Sequence, residues 1–136
     1  MSDSEKEQQQ QLPDGNHLVI QSYRDLRVYQ LAYSAAQDVY VMTRKFPKEE
    51  LYSLTDQIVR ASRSIGANIV EGWSKRQYQL VFKKHLLDAV GSCDETHHWL
   101  AVAKDNGRIT LDEYRQMDEK FRQVGKMLVA LIARFK

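Results

Sequence analysis

One cysteine, two prolines, six glycines and no long apolar run are what 136 residues provide, and each shortage removes a class of protein. Cys93 has no partner for an intrachain disulfide, which excludes a disulfide-stapled secreted domain and fits a reducing compartment. No stretch approaches the roughly 20 apolar residues that cross a bilayer, so no membrane association is expected. Residues 1–11 are polar and acidic and offer a signal peptidase no apolar segment, which makes the expected location cytoplasmic. Gly66, Gly72, Gly91, Gly107 and Gly125 stand singly, so no glycine-rich phosphate cradle exists. What is present is 43% hydrophobic residues, with seven Tyr, four Phe and two Trp, enough to build one core in a chain of single-domain length.

The net charge of +2 is unevenly spread. Residues 1–22 carry Asp3, Glu5, Glu7 and Asp14 against Lys6 alone, a net −3, and the remainder carries 19 Lys and Arg against 14 Asp and Glu, a net +5. Residues 1–22 also hold the run Gln8–Gln11 and the turn formers Pro13-Asp14-Gly15-Asn16, and read as a disordered polar leader. His17 to Ile20 are the part of it apolar enough to pack on a domain.

From residue 23 onward helical periodicity governs. Tyr29, Ala32, Tyr33, Ala36, Val39, Tyr40 and Thr43 trace one face of a first helix, with Asp25 as N-cap and Phe46-Pro47 as its end. Leu54, Ile58, Ala61, Ile65 and Ile69 stripe a second, opened by Ser53 and Asp56 as a capping box and stopped by Gly72 at C′. Its small residues predict close contact with neighbouring helices. Phe82, Leu86, Ala89, Cys93, Thr96, Leu100 and Ala103 alternate in steps of four and three along a third helix that ends at Asn106-Gly107. A Thr110–Glu113 capping box then opens a fourth, striped by Tyr114, Met117, Phe121, Val124, Leu128, Leu131 and Phe135. The pattern predicts an all-α, antiparallel up-down-up-down four-helix bundle.

Apolar residues also lie off these stripes: Val28, Leu31 and Val41, then Val59, Val70 and Trp73, then Leu87, Val90 and Trp99, and finally Met127, Val129 and Ile132. A second apolar face on several helices predicts an oligomer, with Val59, Val70, Trp73, Leu87, Val90 and Trp99 as interface candidates.

Three motifs carry a resemblance. They are Arg24-Asp25-Leu26-Arg27-Val28-Tyr29-Gln30-Leu31-Ala32, Phe46-Pro47-Lys48-Glu49-Glu50 with Leu54-Thr55 and Gln57, and Ser64-Ile65-Gly66-Ala67-Asn68-Ile69-Val70-Glu71-Gly72. Together they resemble the four-helix-bundle family of proteins encoded in intervening sequences of bacterial 23S rRNA genes. Gly66 stands where that family usually has Pro, and Tyr29 where it usually has Trp. The resemblance implies a ring, typically a homopentamer, with no known catalysis and no cofactor. A related branch, the accessory variability proteins of diversity-generating retroelements, implies nucleic acid and a reverse transcriptase as partners met through basic surfaces.

Candidate nucleic-acid contacts are Arg60, Arg63, Lys75, Arg76, Lys83 and Lys84, with Trp73, Tyr78 and Phe82 interleaved and Arg44, Lys45 and Lys48 in a separate cluster. Lys and Arg serve phosphates without reading sequence, and aromatic rings stack on unpaired bases. The plain alternative is that these charges solvate outer faces. A di-iron centre needs two Glu-x-x-His motifs, whereas only Glu95-Thr96-His97-His98 exists, so no metal is expected. Cys93 has His97 four residues on, but an inward-facing thiol is inert. Asn68 and Glu71 read as structural polar groups, and Gly91-Ser92 and Gly125 as points of close helix contact. The expected function is a non-catalytic oligomeric scaffold that binds RNA or a nucleoprotein partner. The alternative is a protein-binding adaptor with no nucleic-acid role.

Overall fold

In the computed structural model, which describes residues 19–135, four α-helices follow one another: α1 Arg27–Thr43, α2 Asp56–Ser74, α3 Gln79–Asp105 and α4 Leu111–Ile132. Each packs on its sequence neighbours and α4 closes against α1, which gives the antiparallel bundle. Residues 1–18 of the predicted leader lie outside the described residues, whereas Ile20 is buried in the core cluster. Among the described residues no helix is long and apolar enough to cross a membrane.

The stripes of α2, α3 and α4 sit where their spacing places them. Ile58, Ile65, Ile69, Leu86, Leu100, Phe121 and Leu128 have no exposed surface, and all seven α3 stripe positions are buried. Burial at this level contributes about 1.5–3 kcal/mol per large apolar side chain. In α1 the expected stripe is met at Ala32, Ala36, Val39 and Thr43, which are buried, but the buried face is wider on one side, taking in Val28, Ala35 and Met42, while Tyr33 and Tyr40 are exposed. The phenols keep their hydroxyls in water at the rim, and small Ala side chains let α1 approach its neighbours instead.

The capping pattern explains the helix ends, with three corrections. Asp25 does not cap α1: its carboxylate accepts from the N–H groups of Gln21 and Ser22, closing a capping box on a 3-10 turn, Tyr23–Asp25, that leads into the helix. Ser53 does not open α2. A 3-10 turn, Lys48–Glu50, passes through a π-helical turn, Leu51–Thr55, into α2, and the Ser53 hydroxyl donates back to Glu50. A serine inside a continuous helical run returns its hydroxyl to the preceding turn in this way. Gly72 does not stop α2, which continues to Ser74; it is buried where α2 crosses α3. The α3 end and α4 start match expectation. Gly107 takes φ +72°, and Arg108 N–H donates to Ala103 O while Gly107 N–H donates to Lys104 O, the double bond of a Schellman motif. Thr110 and Glu113 cap each other's backbone N–H groups at 3.1 and 2.9 Å.

Candidate nucleic-acid interface and its surroundings

The antiparallel topology gathers the start of α1, the end of α2, the start of α3 and the end of α4 at one end of the bundle. Direct contacts tie it together: Phe82 lies edge-on to Trp73 and to Phe135, with ring centroids 6.3 and 5.4 Å apart, and Lys83 Nζ donates to Phe135 O. Residues 19–30, 71–88 and 125–135 make up this end and carry Arg24, Arg27, Lys75, Arg76, Lys83, Lys84, Lys126 and Arg134 against Asp25, Glu71 and Asp88. That is eight cationic side chains to three anionic ones, whereas the rest of the described domain has ten to eleven. The whole positive excess of residues 19–135 therefore sits at one end.

The six predicted contacts divide accordingly. Lys75, Arg76, Lys83 and Lys84 belong to the basic end. Arg76 stacks over the Trp73 ring at 4.4 Å and donates to Trp73 O, and Lys84 pairs with Asp88 at 3.1 Å. Lys75 Nζ lies 3.4 Å from His85 Nε2, and His85 Nδ1, the one buried side-chain polar atom without a hydrogen bond among the described residues, faces Glu71 Oε2 at 3.9 Å. Arg60 and Arg63 are not part of this group. Arg60 is in the first turns of α2 and pairs with Asp56, and Arg63 lies over the Tyr40 ring. Arg44, Lys45 and Lys48 are at the opposite end, where Lys45 pairs with Glu113 and Arg108 with Glu50 at 2.8 Å. Those partners hold both carboxyl groups below the usual carboxylate range. Exposed Tyr78, Leu80 and Val81 border the basic end at the α2–α3 turn.

Among the interface candidates Trp73 is corrected. It is only 6% exposed and packs within its own chain, because the α2–α3 crossing at Gly72 draws the indole under Phe82. Val59, Val90 and Trp99 are half-buried against the core, and Leu87 is half exposed. Val70 lines a groove of about 390 Å³ between α1 and α2, floored by Ala32, Ala36, Gly66 and Ala67 and walled by Tyr29 and Tyr33. A second groove of about 500 Å³ runs between α3 and α4 past Val90, Gly125, Val129 and Ala130.

The residues that suggested chemistry are engaged structurally. Glu95 accepts from the Trp99 indole N–H, His98 lies against the Trp99 ring, and His97 Nδ1 is 2.7 Å from Asp118 Oδ1. The buried Cys93 thiol donates to Phe121 O, and burial pushes its pKa up to about 11, helped by the Asp94 charge. A thiol held protonated in this way is a poor nucleophile. Among the described residues no three His, Cys, Asp or Glu side chains converge as metal ligands. Asn68 donates to Ser64 O, and Ser92 donates to the Ser64 hydroxyl across the α2–α3 contact. Gly125 has Cys93 Sγ at ordinary contact distance from where a Cβ would sit, whereas Gly91 faces open space and is not a point of close contact.

The fold and this arrangement define a four-helix bundle with one cationic end. The family model described as 23S rRNA-intervening sequence protein matches residues 24–130, and the chain belongs to that family. Its fold is similar to a crystal structure, at 1.70 Å resolution, of a protein of unknown function in the S23 ribosomal protein family of Bacteroides thetaiotaomicron. The two are 24% identical with a TM-score of 0.71, and the match covers 78% of this chain and 95% of that one. No curated protein matches the chain significantly.

Proposed function

We propose that the protein is a non-catalytic scaffold that binds structured RNA through the basic end of the bundle. The observation that carries this reading is the segregation of charge: five net positive charges lie at one end and none elsewhere. A surface of that kind attracts a polyanion and steers it without reading bases. The exposed Tyr78 beside Lys75 adds a ring on which an unpaired base can stack.

The test is a binding titration with a structured RNA. Four phosphate contacts on a duplex predict a loss of roughly 150-fold in affinity between about 50 and 200 mM salt. Changing Lys75, Arg76, Lys83 and Lys84 to Glu should abolish binding. Changing Lys45 and Lys48 at the other end should leave it nearly unaltered. Absence of binding by the parent chain at low salt refutes the reading.

Ring assembly belongs to the same proposal. The two grooves lie on opposite sides of the bundle, α1–α2 on one and α3–α4 on the other, and differ in lining. Two unlike apolar faces joined head to tail build a closed ring when the rotation closes. Light scattering should give about five times the chain mass of 15.9 kDa, and a monomer mass at micromolar concentration refutes it. A ring would also present the basic end several times over, raising avidity with no new contact per copy.

A further inference from the structure

The basic end carries an apolar tip for which phosphate binding has no use. The connection from α2 to α3 turns back through residues 75–78, closed by the N–H groups of Lys75 and Tyr78, which donate to Gly72 O and Lys75 O at 3.0 and 2.9 Å. Tyr78 at its end is 61% exposed, and Leu80 and Val81 in the first turn of α3 are 78% and 39% exposed. Phe82, held edge-on by Trp73 and Phe135, fixes the start of α3, so the tip stands on a rigid support. We propose that this tip docks end-on against an anionic phospholipid surface, with Leu80 and Val81 entering the headgroup boundary and the lysines behind them meeting lipid phosphates.

Charge selects this occupant. Exposed apolar side chains are ordinary when scattered, and the opposite end exposes Leu51, Tyr52 and Leu111 as well. There, residues 44–55 and 104–113 carry five cationic side chains against five anionic ones, whereas the tip stands on a net +5. An anionic surface therefore attracts one end and not the other, each cation near it strengthening binding about fivefold. Spacing agrees with charge. Lys83 and Lys84 follow Leu80 by three and four residues, one helical turn or about 5 Å behind the tip. Apolar faces of surface-bound helices sink about 5–10 Å into the headgroup boundary, which brings both ammonium groups level with the phosphates. The anions Glu71 and Asp88, the second paired with Lys84, stand a further turn back, four residues from Lys75 and Lys84. Aliphatic side chains neither pair with phosphates nor stack on bases, so RNA binding leaves Leu80 and Val81 without a role. Among the described residues no helix can cross a bilayer, but lying against one needs none, and the expected lack of membrane association narrows to the lack of a spanning segment.

Lipid docking does not rest on RNA binding, although one end cannot hold both ligands at once. The test is sedimentation of the intact chain with vesicles of phosphatidylcholine alone and of phosphatidylcholine containing about 30% phosphatidylglycerol. The parent should sediment with the anionic vesicles alone at about 0.05 M salt and be released at about 0.5 M. Leu80→Gln with Val81→Gln, both at exposed positions, should weaken that capture roughly tenfold or more, with helical circular dichroism and RNA affinity unchanged. The matched pair Leu51→Gln and Tyr52→Gln at the neutral end should leave capture unaltered. Capture that survives Leu80→Gln and Val81→Gln in full overturns the proposal, because charge alone then explains it. Equal capture by neutral and anionic vesicles overturns it too, as does capture by neither. RNA binding without vesicle capture removes the lipid surface and leaves the RNA reading standing, whereas capture without RNA binding sustains the lipid surface and removes the RNA reading.

Discussion

Gly72 and Gly91 should respond in opposite directions to the same change, Gly→Ala. Both lie inside helices, and in a helix interior alanine is favoured over glycine by about 0.8–1 kcal/mol. At Gly72 a Cβ would fall 2.9 Å from Phe82 Cδ1, 3.0 Å from His85 Cβ and 3.3 Å from Phe82 Cε1. Carbon pairs settle near 3.5–4.0 Å, so the deficit is about 0.5–1 Å. Neither neighbour can give that distance locally. Phe82 is 4% exposed and held edge-on by both Trp73 and Phe135, and the His85 Cβ moves only with the α3 backbone. Forcing a methyl into such a contact costs about 1–3 kcal/mol. The propensity gain is reduced so near the α2 C-terminus, so Gly72→Ala should destabilise by about 1–2 kcal/mol. Gly91 is exposed, with nothing within 4 Å of its added Cβ, and Gly91→Ala should stabilise by about 0.5–1 kcal/mol. The two midpoints in thermal unfolding, followed by helical circular dichroism, should then differ by roughly 6–12 °C with the parent between them. A Gly72→Ala protein that melts at or above the parent refutes the claim that this glycine sets the α2–α3 approach.

Thr110→Ala removes the reciprocal cap at the start of α4 and should lower stability by about 1 kcal/mol, read from the urea midpoint at unchanged slope. Cys93 should resist a thiol-specific disulfide reagent at pH 8 in the folded protein and react promptly in urea. Because folding raises its pKa from 9.0 to about 11, the unfolded chain ionises first as pH rises, and that contribution is present below pH 9 and lost between about 9 and 11. Comparing the alkaline stability curves of the parent and Cys93→Ala isolates it, and parallel curves would contradict the assignment. Glu50 and Glu113 behave oppositely. Their folded pKa values are lowered, so the stability they contribute is present above the unfolded value of 4.5 and lost as pH falls through the folded ones. Arg108→Gln should flatten that acid-side dependence, measured as melting temperature against pH.

The bundle was legible wherever a helix buries one stripe of large apolar residues. The α3 stripe from Phe82 to Ala103 alternates in steps of four and three, and the same seven positions are buried. In α1 the rule placed Ala32, Ala36, Val39 and Thr43 but also counted Tyr33 and Tyr40 inward and passed over Ala35, because tyrosine counts as apolar in a periodicity although its hydroxyl favours the rim, and alanine counts for little although it lets backbones close up. Glycine was ambiguous for a related reason. Gly72 and Gly107 both lie near helix ends, but only Gly107 takes a positive φ, and only the neighbouring helix reveals that Gly72 is a contact. The side chain of Trp73 followed the same crossing into the core, which linear spacing could not anticipate.

The candidate site depends on a quantity that the linear order conceals. Arg24 and Arg27, Lys75 to Lys84, and Lys126 with Arg134 are spread over most of the chain, and each group taken alone resembles an ordinary solvated helix end. Reversing direction at every connection brings alternate helix termini together, so their charges sum at one end, whereas the opposite terminal charges cancel through pairs such as Lys45–Glu113 and Arg108–Glu50. Nothing in the packing requires that difference, since the core stripes would be equally buried with the charges exchanged between ends. Surface charges well away from a core shift stability little, typically within about 0.5 kcal/mol, so folding leaves their placement free. A polarity that folding does not demand is the feature by which the basic end can be told from a merely solvated one, and the charge exchanges at Lys75, Arg76, Lys83 and Lys84 against Lys45 and Lys48 put it to the test directly.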